Sequence, residues 1–156
     1  MKRDDRGDRR AARMIDPVGL VRQYVQRDAA GERLGPDPWF EEVVTWPMEP
    51  AYDSYTVIHR HEVERPPTIT GSPARIRVRY EVMGWIATQG EQSVFMEQPG
   101  VEVFEFVVLR DDEGWRLSKP QIDQHVLAEV VAAGGSLTPE DAARVRELAA
   151  QPPAEP

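Results

Sequence analysis

Cysteine is absent from the 156 residues. That absence excludes disulfides, thiolate metal sites and a cysteine nucleophile together, and leaves the redox compartment undetermined. Lysine is nearly absent as well: of 19 basic residues only Lys2 and Lys119 are lysines, and the net charge is −8. An acidic balance of this size argues against general affinity for nucleic acid or anionic lipid, both of which select basic surfaces. No apolar run approaches the roughly 18 residues needed to span a membrane. The opening "MKRDDRGDRRAARMI" is charged throughout and has no apolar core of a signal peptide, so the chain as given is expected to be cytoplasmic. Glycine-rich phosphate loops, a GxSxG elbow and HExxH are all missing, so nucleotide use, serine hydrolysis and zinc hydrolysis lack a motif.

What remains is an ordinary globular composition, 40% hydrophobic and 29% charged, at a length that suits one domain with a real core. Residues 1–14 carry almost nothing to bury and read as a disordered arm. A domain is expected over 15–135, a C-terminal helix over 136–150, and an unstructured tail over 151–156.

Helical signals open and close the chain. In "DPVGLVRQYVQRDAAGERL", Asp16 is placed to cap, Pro17 suits the first helical position, and Leu20, Val21, Tyr24 and Val25 recur at helical spacing. Gly31 is a stop signal. "DPWFEEVV" repeats the Asp–Pro start at Asp37 and Pro38. In "SLTPEDAARVRELAAQ", Thr138 caps, Pro139 follows, Asp141 completes a capping-box pattern, and Ala142, Val145, Leu148 and Ala149 form an apolar stripe.

Between them the period changes to two. "YTVIHRHEVE" places Tyr55, Val57, His59, His61 and Val63 on one face if the alternation is unbroken. "RIRVRYEVMGWI" sends Ile76, Val78, Tyr80 and Val82 inward and Arg75, Arg77, Arg79 and Glu81 outward, where the arginines fit beside Glu62 and Glu64 of a paired strand. "VEVFEFVVLR", the acidic turn "DDEG" and "WRLSKP" form a further hairpin. "QIDQHVLAEVVAAGG" fits either a continued strand or a short helix ended by Gly134 and Gly135.

Two N-terminal helices followed by strands define an α+β layout, and a curved antiparallel sheet wrapped around the N-terminal helices with an added C-terminal helix is expected. On "DPVGLVRQYVQRDAAGERL", "DPWFEEVV" and "VEVFEFVVLRDDEGWRLSKPQ", residues 16–127 resemble the nuclear transport factor 2-like superfamily, which includes polyketide cyclase-like proteins. The resemblance implies a cone with an internal cavity for a small hydrophobic ligand, used by some members for hydrolysis, isomerisation or dehydration through an Asp/His pair. Other members only bind, or dimerise through the outer sheet face. The helix at 138–150 and the Pro-rich loop "TWPMEPAYD" depart from that pattern, and no catalytic motif of the superfamily maps residue by residue.

Candidate chemistry is sparse. His59 and His61 form a His-x-His pair suited to acid–base work or, with a third ligand, to zinc. Asp123 and His125, two apart, form a second candidate dyad. Glu105 interrupts an apolar strand, but Phe104 and Phe106 make the better core face and place it outside. Trp39, Trp46, Tyr52, Tyr55, Tyr80 and Trp85 are candidates to line a pocket. The expectation is a module that binds a small molecule or assembles as a homodimer, with no cofactor and no metal. The alternative is a cofactor-free hydrolase or isomerase that uses a histidine with an acidic partner.

Overall fold

The computed structural model describes residues 16–50, 52–66, 71–89 and 92–151, so the expected arm at 1–14 and all of the tail beyond Gln151 lie outside the described residues. The described residues form an α+β fold: four helices and a strongly curled, mixed five-stranded half-barrel. In chain order the elements are α1 (Pro17–Ala29), a 3-10 turn (Glu32–Leu34), α2 (Pro38–Glu42), β1 (Ser54–Val63), β2 (Ala74–Gln89), β3 (Gln92–Asp111), β4 (Gly114–Lys119), β5 (His125–Leu127), α3 (Ala128–Ala133) and α4 (Pro139–Ala150).

The helix starts follow local chemistry. Asp16, Asp37 and Thr138 each accept a backbone N–H with their side chains, and proline occupies the first turn in all three cases. Gly31 follows α1 in the left-handed region at φ 84°, where glycine carries no Cβ penalty. Asp141 departs from the capping-box expectation. Its amide donates to Thr138 Oγ1, but its carboxylate accepts the Phe95 N–H of β3 at 3.2 Å and pins α4 to that strand. Arg144 adds a bidentate pair to Glu97, also on β3.

The strand order is β4-β3-β2-β1-β5. Its first four strands are antiparallel as expected, but β5 runs parallel to β1, which makes the sheet mixed. A three-residue strand of this kind leaves no periodic signal, and "QIDQHVLAEVVAAGG" resolves into this short strand followed by α3.

A diagonal of β-bulges bends the sheet. On β1, Ile58 faces Val82 and Arg60 faces Glu81, which leaves His59 as the extra residue. On β2, Val57 faces Gly84 and Ile58 faces Val82, so Met83 is extra there. On β3, Val82 faces Gly100 and Gly84 faces Glu97, so Gln98 and Pro99 together oppose Met83. Pro99 is tolerated inside a strand because the ladder is already interrupted at the bulge. Gly84 permits the close approach: a Cβ there would sit 2.1 Å from the carbonyl oxygen of Met96.

The bend splits the core in two. Ile58, Ile76, Val78, Tyr80 and Phe106 pack with α1 and α2, whereas Val57, Met83, Ile86, Phe95 and Val126 pack with α3 and α4. Val57 and Ile58, consecutive and both fully buried, therefore serve different cores. The expectation that Tyr55, Val57, His59, His61 and Val63 share one face fails for this reason. Tyr55 packs with the second core, while His61 and Val63 oppose Tyr80 and Val78 of the first. The outer face follows the expected charge pattern: Arg77 lies 3.7 Å from Glu64, Arg75 is 2.7 Å from an exposed Glu105, and Glu81 takes Arg60 at 2.6 Å and Arg79 at 3.1 Å.

A matched pair of substitutions tests the bend. Gly84→Ala should lower unfolding free energy by about 1–3 kcal/mol, since backbone must shift to admit the methyl group. Gly100→Ala, where nothing lies within 4 Å of the added Cβ, should stay within about 0.5 kcal/mol of the parent in urea unfolding. Equal losses at the two glycines would remove the close approach as the reason for Gly84.

Candidate functional site

Helices α1 and α2 cover the inner sheet face as far as the bend. Beyond it the same face, carrying Thr56 and Trp85, forms one wall of a cavity of about 840 Å3. The bulged segment of β3, with Gln98, Gly100 and Glu102, forms a second wall. The third wall is the segment 120–124, which carries the chain from β4 at one edge of the half-barrel to β5 at the other. Ile122 and Asp123 line the cavity from that crossing, and Tyr52 precedes β1 at its mouth.

A buried polar cluster holds the crossing in place. The Arg33 side chain is 3% exposed. Its Nη2 donates to the Ile122 carbonyl and to Glu49 Oε2 at 3.2 Å, and Nη1 donates to the Asp123 carbonyl at 3.3 Å. Asp28, from the last turn of α1, lies 3.6 Å from Arg33 Nη1 and accepts the His125 backbone N–H at 3.2 Å. Burial pushes the Asp28 carboxyl up to about 6 against the opposing pull of Arg33 and His125. Asp28 Oδ1 is buried with no hydrogen-bond partner among the described residues.

His125 is the centre of the cluster. Its side chain is 1% exposed, with the ring 4.4 Å from Tyr80 and 5.7 Å edge-on from Phe104. Nε2 lies 2.8 Å from Glu102 Oε2, and Nδ1 lies 2.8 Å from the Asp123 carbonyl. Burial by itself would lower the imidazole pKa. The Glu102 hydrogen bond and the Asp123 charge and carbonyl outweigh burial and hold it above its ordinary value. Both ring nitrogens are thus engaged by protein oxygens, and the Asp123 carbonyl, which can only accept, takes the Nδ1 hydrogen. Asp123 Oδ2 in turn accepts the Thr56 hydroxyl at 2.7 Å.

The candidates separate cleanly against this geometry. Asp123 and His125 come together, with Tyr80 stacked behind His125, and Trp85 and Tyr52 line the cavity. His59 falls at the bulge, and His61 is partly buried opposite Tyr80, with burial lowering its pKa; neither lines the cavity. Trp39 lies against Tyr24 and Phe40 beneath Arg27, Trp46 belongs to the first core, and Tyr55 packs with the second. No three histidine or acidic side chains among the described residues converge to hold a metal ion.

Sequence reasoning missed Glu102, although a signal was present. The alternation that puts Val101, Val103 and Glu105 outside puts Glu102 on the inner face with Phe104 and Phe106. A carboxylate on an apolar strand face marks a site more strongly than the exposed Glu105. Thr56 was hidden, because the bulges invert its assigned face.

The cluster gives stability a definite pH dependence. Asp28 has its pKa raised on folding from 3.8 to about 6, so its contribution is complete below the unfolded value and is lost as pH rises through about 6. His125 is also raised, so its contribution is complete below about 6.5 and is lost as pH climbs through its higher folded value. Urea unfolding from pH 4.5 to 8.5 should therefore show stability falling toward the alkaline side. Asp28→Asn should remove the lower part of that fall, about 2–3 kcal/mol. A parent and variant with parallel pH profiles would show that Asp28 is not the titrating group.

No helix among the described residues is long and apolar enough to cross a membrane. The chain matches no protein-family model, no curated protein and no solved structure.

Proposed function

We propose that the chain is a small-molecule-binding module and that its ligand occupies the cavity between β1, β2, β3 and the crossing at 120–124. The observation that carries this reading is the cavity itself. At about 840 Å3 it has the size of a small-molecule site, and it combines apolar walls at Val82, Phe104 and Ile122 with a few convergent polar groups at Thr56, Glu102 and Asp123. The curled sheet, with α1 packed against it, also supports the cone-shaped nuclear transport factor 2-like layout expected from the element order, and that layout is part of the proposal.

A binding role is favoured over catalysis by the state of His125. A general base needs a free lone pair within reach of substrate, and this ring directs both nitrogens at protein oxygens while its side chain is 1% exposed. The hydrolase or isomerase alternative would have to use Glu102 or Asp123 as the base instead.

Nile red, an uncharged dye that brightens in apolar surroundings, provides the test. It should bind the parent protein at one site per chain. Gly100 opposes Val82, a cavity residue, and a side chain there meets nothing within 4 Å at its Cβ. Gly100→Trp should therefore fill the cavity and weaken dye binding by at least about tenfold, with an unchanged circular dichroism spectrum. Dye binding that is equal in parent and variant would reject the cavity as the site.

Assembly through the outer sheet face has its own support. Val101 and Val103 are 48% and 45% exposed there, opposite Glu81 and Arg79. If two copies associate through this face, Val103→Lys should shift sedimentation velocity from dimer to monomer. A parent that sediments as a monomer at 100-fold its working concentration would end this reading.

A further inference from the structure

We infer that the cavity selects an organic cation, an ammonium or amine group carried on an apolar body. The inference rests on the reading of the cavity as a ligand site and adds the chemical class of the ligand.

The first ground is charge. Four carboxylates, those of Asp28, Glu49, Glu102 and Asp123, meet in the cluster behind and along the cavity wall. Among the described residues two cations meet them there, Arg33 and His125. Arg33 is committed to Asp28 and Glu49, and its donors also serve the Ile122 and Asp123 carbonyls. His125 is committed to Glu102 through Nε2. Even with His125 protonated, the group keeps an excess of negative charge, and that excess lies on the cavity side. Glu102 and Asp123 line the cavity with side chains 41% and 30% exposed, whereas Arg33 and His125 are buried behind them.

The second ground is what Asp123 lacks. Its carboxylate takes one hydroxyl, that of Thr56, and His125 Nδ1 stands 3.9 Å from Oδ1 while donating to the Asp123 carbonyl instead. The carboxylate's one hydrogen bond among the described residues is to a neutral hydroxyl, so a cationic group in the cavity would add a charge-assisted hydrogen bond to it. An anionic ligand would meet two carboxylates with no accessible cation among the described lining residues, and like charges at close range are unfavourable.

The third ground is the remaining wall. Trp85 lines the cavity and is 37% exposed, which leaves an indole surface available to a ligand. Indole is the strongest of the aromatic side chains in attracting a cation over its face. Val82, Phe104 and Ile122 provide apolar surface for the body of the ligand. The volume leaves room for such a body beside the charged group.

The test uses three compounds that share one body: 4-phenylbutylamine, 4-phenylbutanol and 4-phenylbutyrate, each titrated calorimetrically into the full chain at pH 7. The amine should bind at least about tenfold more tightly than the alcohol, and the acid should show no heat of binding. Glu102→Gln and Asp123→Asn should each reduce the amine-over-alcohol preference by about tenfold. Glutamine at 102 retains an oxygen acceptor for His125, and a thermal melt of each variant identifies a folding failure; the other variant then carries the comparison. Equal binding of amine and alcohol, or a preference that survives both substitutions, overturns the cation inference. If Gly100→Trp still blocks Nile red in that case, the binding-site reading stands without it. If none of the three compounds binds while Nile red does, the inference also falls and the reading stands. If Nile red fails as well, both fall.

Discussion

Arg33 reaches across the molecule. It belongs to the 3-10 turn after α1, yet the carbonyls it holds, those of Ile122 and Asp123, lie about 90 residues along the chain on the crossing between the two edges of the half-barrel. Through Asp28 the same cluster fixes the His125 backbone, and through His125 it fixes Glu102 on β3. Three parts of the chain that share no strand pairing are tied at this point: the first helix, the crossing and the bulged stretch of β3. The cavity lies among the latter two and β1 and β2, so its shape depends on the clamp.

Such a clamp need not add net stability. Removing charges from water is expensive, and a buried ion pair commonly does little more than offset that cost. Breaking one, by contrast, costs roughly 3–5 kcal/mol, because it leaves a charge buried and alone. The cluster is therefore better understood as selecting one arrangement of the crossing over competing ones. A segment from 120 to 124 with few apolar side chains has little else to fix its path, since only Ile122 is packed against the first core. Where hydrophobic burial specifies poorly, directed hydrogen bonds to two successive carbonyls specify well.

Legibility in the sequence followed the range of the interactions. Helix starts were readable because a cap is satisfied within three residues, as at Asp16, Asp37 and Thr138. Strand faces were readable wherever alternation ran unbroken, as over Ile76, Val78 and Tyr80 and over Phe104, Glu105 and Phe106. They failed at His59 and Met83, because a bulge inserts one residue and inverts every face beyond it, while the local composition looks the same. Gly84 and Pro99 were the visible traces of that bend, a small residue and a strand breaker in two segments that otherwise read as continuous. The Arg33 clamp had no local signature at all: its partners come from separate elements, and an arginine in a chain with 17 of them does not stand out.

The two histidines on β1 drew attention because histidine is rare here, with three in the chain. Rarity is a weak guide beside placement. His125 is the histidine at the site, and what distinguishes it is its setting between Tyr80 and Phe104 with both nitrogens engaged. That setting takes away the freedom a base requires and gives the ring another task. The imidazole buried behind Glu102 holds that carboxylate at the cavity wall through Nε2, while the Thr56 hydroxyl holds Asp123. In the proposed binding role, two oriented carboxylates beside an aromatic face would discriminate a ligand by charge. Because their hydrogen bonds are already made within the protein, ordering these side chains would add little further cost to that binding.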